Sequence, residues 1–159
     1  MKKITIVLLM GFFITACGGG NTSNNADAAD PYATNATNNN VNPDYDPHRG
    51  EGKFSDVKVD PKLDAAMASN GEKVYGVKCG SCHKLTNEKL VGPGWEGITT
   101  RRKAEWILNF ITNTDAMIDK DPELQAQLEI CLVRMPNQNL SDDDARSLYE
   151  FMRKNDGVK

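Results

Sequence analysis

The sequence predicts a small helical domain behind an N-terminal third that builds no core. Two observations predict it. From residue 60 onward, helix-start signals recur at Asp60-Pro61, Thr100, Asp121-Pro122 and Ser141, and apolar residues follow three or four apart. Residues 18–43, by contrast, are rich in Gly, Asn, Thr, Ala and Asp, with almost nothing apolar to bury. A length of 159 residues accommodates one domain. The formal net charge of -3 argues against a nucleic-acid binder, which needs a clustered basic surface.

Taken in order, Lys2 and Lys3 precede an apolar run over residues 4–14. That is the length of a secretory signal core and too short for an untilted membrane span. The run ends in Ile14-Thr15-Ala16-Cys17, which resembles the lipobox of bacterial lipoproteins, with Ile14 where Leu is usual. The resemblance implies removal of residues 1–16 and diacylation of Cys17. Such acylation gives a stable membrane anchor and places the protein in the cell envelope, facing the periplasm. Residues 17–55 read as the lipidated cysteine and a flexible tether, and 56–159 as the folded domain. Tyr45, His48 and Phe54 are the tether residues expected to lean on that domain.

The chemistry centres on Cys79-Gly80-Ser81-Cys82-His83. C-x-x-C-H is the attachment signature of a c-type haem. Two thiols at this spacing reach the two vinyl groups on one edge of a porphyrin, and the adjacent imidazole turns beneath the ring to ligate iron. A thiol–disulfide pair would want a βαβ context, which the chain lacks. A zinc site would want four ligands, and His48 and Cys131, the candidates for the other two, do not stand at zinc-finger spacing.

Around this motif, Asp60-Pro61 reads as the N-cap and first position of a helix running to Cys79, with a break near Asn70-Gly71. Gly71 and Tyr75 share a face. After His83, the stretch Val91-Gly92-Pro93-Gly94-Trp95-Glu96-Gly97-Ile98 is turn-rich. Thr100 reads as the cap of a helix over 101–113 carrying Trp106, Ile107, Phe110 and Ile111. Asp121-Pro122 opens another, with Leu124, Leu128 and Leu132 inward. A Met135-Pro136 loop precedes Ser141-x-x-Asp144, similar to a capping box, and a last helix to about residue 154 with Ala145, Leu148, Tyr149 and Met152 on one side.

Gly-x-x-x-Tyr, CxxCH, a Gly-Pro loop, a Met-Pro loop and a final helix, in that order over about residues 62–154, resemble the class I monohaem cytochromes c. Trp95 departs from that pattern, standing where Leu is usual. The resemblance implies an all-α fold around one covalent haem c, with Gly71 at a close helix crossing and Tyr75 packed beside it. It implies that the Pro93 carbonyl accepts the Nδ1–H of His83, and that Met135 is the sixth iron ligand. Trp106, Arg101 and Arg102 are the candidates for holding haem propionates. The longer pattern is similar to small lipoprotein cytochromes of bacterial respiration, including those linked to nitrous oxide reduction. The implied function is one-electron shuttling rather than catalysis. The implied partners are redox proteins of a respiratory chain, such as a terminal reductase or oxidase.

Met117, in an Asp-rich connection, is the rival to Met135, whereas Met67 and Met152 read as helix positions. Cys131 reads as a buried, inert thiol near the haem face. The alternative function is a haem domain with an open sixth position, acting as a redox enzyme or gas sensor. A peroxidase-like site would need distal acid–base groups, and the one histidine besides His83 is His48, in the tether. Lys78, Lys84, Lys89 and residues 101–103 cluster in sequence around the motif, which predicts a positive rim for an acidic partner.

Overall fold

The computed structural model describes residues 44–159; the signal, Cys17 and the tether up to residue 43 lie outside the described residues. Six helices follow in order: α1 (Ala65–Lys78), α2 (Ile98–Arg101), α3 (Ala104–Thr112), α4 (Thr114–Lys120), α5 (Pro122–Cys131) and α6 (Asp142–Asn155). Among the described residues there is no strand, only an isolated bridge between His83 and Lys89.

The first and last helices form the principal pair. α1 starts later than expected. Asp64, not Asp60, caps it, accepting from the backbone N–H groups of Ala66 at 3.0 Å and Met67 at 2.9 Å. Asp60 instead turns back on the N–H of Lys62, while the carbonyls of Asp60 and Pro61 accept from the buried Arg153 of α6. The expected break at Asn70-Gly71 is absent, and α1 is continuous there. Gly71 is the point of closest approach. A Cβ there would run into the Ser147 carbonyl and lie 2.8 Å from Phe151 Cβ. α6 begins as read, with Ser141 accepting from the Asp144 N–H at 3.1 Å, and buries Ala145, Leu148, Tyr149, Phe151 and Met152.

Between these helices the sequence reading needs three corrections. The single helix expected over 101–113 is split. Thr100 lies inside the short α2, and the chain is extended at Lys103 before α3 begins. The Asp-rich connection around Met117 is itself a helix, α4, which buries Thr114, Met117 and Ile118. α5 starts as expected on Asp121 with Pro122 in its first turn. Leu132 is not inward. It ends α5 in the left-handed region at φ 58° and is 85% exposed.

Residues 44–57 form a strap packed on α3 and α4. Tyr45 and Phe54 are buried, as expected of residues that lean on the domain, whereas His48 is exposed. Asn109 of α3 holds the strap from a fully buried position. Its Oδ1 accepts from the Phe54 N–H at 2.9 Å, and its Nδ2 donates to the carbonyls of Arg49 and Phe54. Asn113 donates to the Glu51 carbonyl, and Glu105 accepts from the Val57 N–H. Two aromatic side chains and this polar lacing suffice to order a segment whose composition otherwise resembles a tether.

Candidate haem site

The CxxCH motif sits where α1 ends. Cys79 is the C-cap residue, and its carbonyl accepts from the N–H groups of Cys82 and His83, both at 3.0 Å. The Cys82 carbonyl in turn accepts from Val91 and Gly92, and the Lys84 carbonyl from Trp95 at 2.9 Å. The Tyr75 hydroxyl donates to the His83 carbonyl at 2.6 Å, and its ring packs between Trp95 and Phe151. The motif is thus folded against the Gly-Pro loop by its own backbone, with Trp95 buried where the family pattern usually has Leu.

His83 Nδ1 lies 2.8 Å from the Pro93 carbonyl oxygen. A carbonyl only accepts, so Nδ1 carries the proton and the Nε2 lone pair is left for a metal. Burial pushes the imidazole below the usual histidine range, against the opposing pull of the Pro93 hydrogen bond, and so favours the neutral ring that a metal requires. Gly92 keeps the ring in place by having no side chain, since a Cβ there would lie 2.8 Å from Nδ1 and closer still to Cε1. The Cys79 thiol is buried, and that burial pushes it up to about 11.

His83 opens onto an apolar cleft. Val91 and Pro93 line it beside His83. α3 contributes Phe110, α4 Ile118, and α5 Leu124, Leu128 and Cys131; Met135 completes it. The residues fit a covalent haem: two thiols at the motif spacing, an imidazole with its Nε2 available, and a thioether on the same cleft. Met135 is the one methionine lining this cleft among the described residues. Its rival Met117 is fully buried elsewhere, its sulfur 2.9 Å from the Glu51 N and 4.0 Å from the Tyr45 hydroxyl. Met67 lines a different recess with Val57 and Arg146, and Met152 is core.

The Met135 loop is pinned at several points that sequence reasoning missed. Arg134 bonds to Asp115 and Asp119 of α4, Lys78 donates to the Gln138 carbonyl at 2.8 Å, and Leu140 packs on the core. Such pairings join residues far apart in the chain and leave no local pattern. Cys131 is half-buried on the cleft wall rather than fully buried.

Trp106, Arg101 and Arg102 gather around a recess that shares Pro93, Leu124 and Gln127 with the cleft. Their polar atoms engage protein partners. Trp106 Nε1 donates to Asp121 at 2.8 Å, Arg102 pairs with Glu123 and lies over the Trp106 ring, and Arg101 donates to the Glu96 carbonyl. The indole N–H expected for a propionate is therefore committed to a carboxylate.

The comparisons agree with this geometry. The cytochrome c family profile matches residues 68–156. The cytochrome c from Rhodothermus marinus aligns with 66% of this chain and 90% of its own, at 30% identity and a TM-score of 0.64. An engineered form of that cytochrome aligns with 70% and 98% of the two chains, at 28% identity and a TM-score of 0.66. The same engineered protein bound to a carbene intermediate gives a TM-score of 0.63, again at 28% identity. No curated protein sequence matches the chain. A helical domain built around a CxxCH turn, an imidazole anchored by a proline carbonyl and an apolar cleft thus belongs to the cytochrome c family, as a class I monohaem protein with one covalently attached haem c.

Proposed function

We propose that this protein is a lipid-anchored electron carrier of a bacterial respiratory chain, with haem bound through Cys79 and Cys82 and iron held by His83 and Met135. The observation that carries the ligand assignment is that His83 and Met135 line one cleft while every other described methionine is placed elsewhere. Bound haem supplies a reversible one-electron change. The chain supplies an imidazole oriented by Pro93, an apolar enclosure, and a thioether, which favours the ferrous state and raises the potential.

The mouth of the cleft supports the reading of a docking face. Val91 and Val133, which line the cleft, are exposed, as are Leu90 and Ile130, chain neighbours of the lining residues Val91 and Cys131. Lys78 and Lys89 reach across to the carbonyls of Gln138 and Ile130, partners that do not cancel their charge. An apolar patch flanked by lysines suits an acidic redox partner, such as a respiratory reductase or oxidase. Electron transfer from the reduced protein to an acidic-faced acceptor is expected to go to completion with one electron per haem. Its second-order rate should fall steeply as ionic strength rises. A flat salt profile in stopped-flow measurements removes the steering, and failure to turn over a single electron removes the carrier function.

The anchor rests on Cys17. Cys17→Ser is expected to leave the chain unacylated and to move the haem protein from the membrane fraction to the soluble periplasmic fraction. Fractionation followed by haem staining checks this, and a mutant that stays membrane-bound without acyl chains contradicts it.

A further inference from the structure

We propose that Tyr45 is a positioning residue for the haem's sixth ligand, acting through Asp121 to hold α5 closed over the cleft. The inference rests on the reading of Met135 as that ligand. Asp121 is 2% exposed, between α4 and α5. One carboxylate oxygen, Oδ2, accepts from the Tyr45 hydroxyl at 2.5 Å and from Trp106 Nε1 at 2.8 Å. The other, Oδ1, accepts from the backbone N–H groups of Glu123 at 2.8 Å and Leu124 at 3.2 Å. One buried side chain therefore joins the strap, α3 and the first turn of α5.

Beyond Asp121, α5 is tied by the Arg102–Glu123 ion pair at its start and by Lys89 on the Ile130 carbonyl near its end. It buries only Leu124, and among the helices it packs chiefly on α4. Yet it brings Leu124, Leu128 and Cys131 to the cleft and leads directly into the Met135 loop. A buried carboxylate keeps its place only while its partners compensate for lost hydration. Tyr45 is one of four donors to it, and burial beside Asp121 holds the phenol well above its usual range, so the hydroxyl remains a donor. Without that donor, Asp121 gains by turning toward water, and the start of α5 turns with it. The loop carrying Met135 then releases its sulfur more often.

The test uses the oxidised holoprotein. Tyr45→Phe keeps the ring and removes the hydroxyl. Ile107→Val, in the buried face of α3, serves as the control for a general loss of stability. Imidazole added to the ferric protein can bind only when the sixth position opens, so its binding rate reports that opening. Tyr45→Phe is expected to bind imidazole several-fold faster than wild type and to show a weakened methionine–iron absorption band, with Ile107→Val unchanged in both. Equal imidazole rates in Tyr45→Phe and wild type overturn the inference while leaving the ligand assignment intact. A wild-type protein without the methionine–iron band overturns the ligand assignment itself.

Discussion

Gly71→Ala is expected to prevent accumulation of the folded haem protein or to leave it melting far below wild type. A single methyl group would be placed where α1 meets α6, against the Ser147 carbonyl and 2.8 Å from Phe151 Cβ. Neither neighbour is the free end of a flexible side chain, so relief requires the helices to part. Separation would uncover Ala68, Leu148 and Phe151, all now buried. Alanine is the better helix former by up to about 1 kcal/mol, but overpacking a tight contact typically costs about 1–3 kcal/mol and more where backbone must move. With the upper value the net loss is about 2 kcal/mol, which lowers the melting temperature of a domain this size by roughly 10 °C. Thermal unfolding of the holoprotein followed by circular dichroism checks this. A melting temperature within a few degrees of wild type would mean that the crossing is looser than the structure has it.

Met135→Ala is expected to abolish the methionine–iron absorption band, open the sixth position to carbon monoxide in the ferrous protein, and lower the reduction potential. Axial ligation tunes haem potentials over about 0.8 V. Exchange of a thioether for water removes the ligand that favours ferrous iron, so the shift is large and negative. Covalent haem should be retained because Cys79 and Cys82 are untouched. The loop should also keep its place, since Arg134, the Gln138 carbonyl, Leu140 and Ser141 hold it independently of the methionine. Met117→Leu is the matched control. Its side chain packs against Gly50 and the strap, so it should cost stability and leave spectrum and potential alone. A band and potential preserved in Met135→Ala would show another group on the iron.

The elements that the sequence showed clearly are those whose chemistry is local. CxxCH, the Asp121-Pro122 start and the Ser141 cap each occupy a few consecutive residues, and each is found as read. The Pro93 contact to His83 was available only through the family resemblance, because nothing in a Gly-Pro turn says which donor its carbonyl will meet. Elements decided by distant partners were misjudged. Asp60 lost the first helix because Arg153, from the other end of the domain, takes the carbonyls beside it, whereas Asp64 has its own amides to cap. The strap looked like tether because its few apolar residues find a surface only in the folded α3 and α4. Trp106 lay in the right neighbourhood, but its N–H partner, Asp121, sits fifteen residues away and was read only as a cap.

Leu132 shows where the domain tolerates local frustration. It occupies the helix-terminating conformation that glycine and asparagine adopt easily, and its side chain gains almost nothing from the protein's own core. A left-handed backbone costs an ordinary residue about 1–2 kcal/mol. Leu132→Asn is therefore expected to raise unfolding stability by up to about 1 kcal/mol, the αL preference of Asn offsetting part of that cost. If the leucine belongs to the docking face, the same variant should slow electron transfer to the acceptor. The end of α5 would then be a point where stability and partner recognition pull in opposite directions, and the native residue sides with recognition.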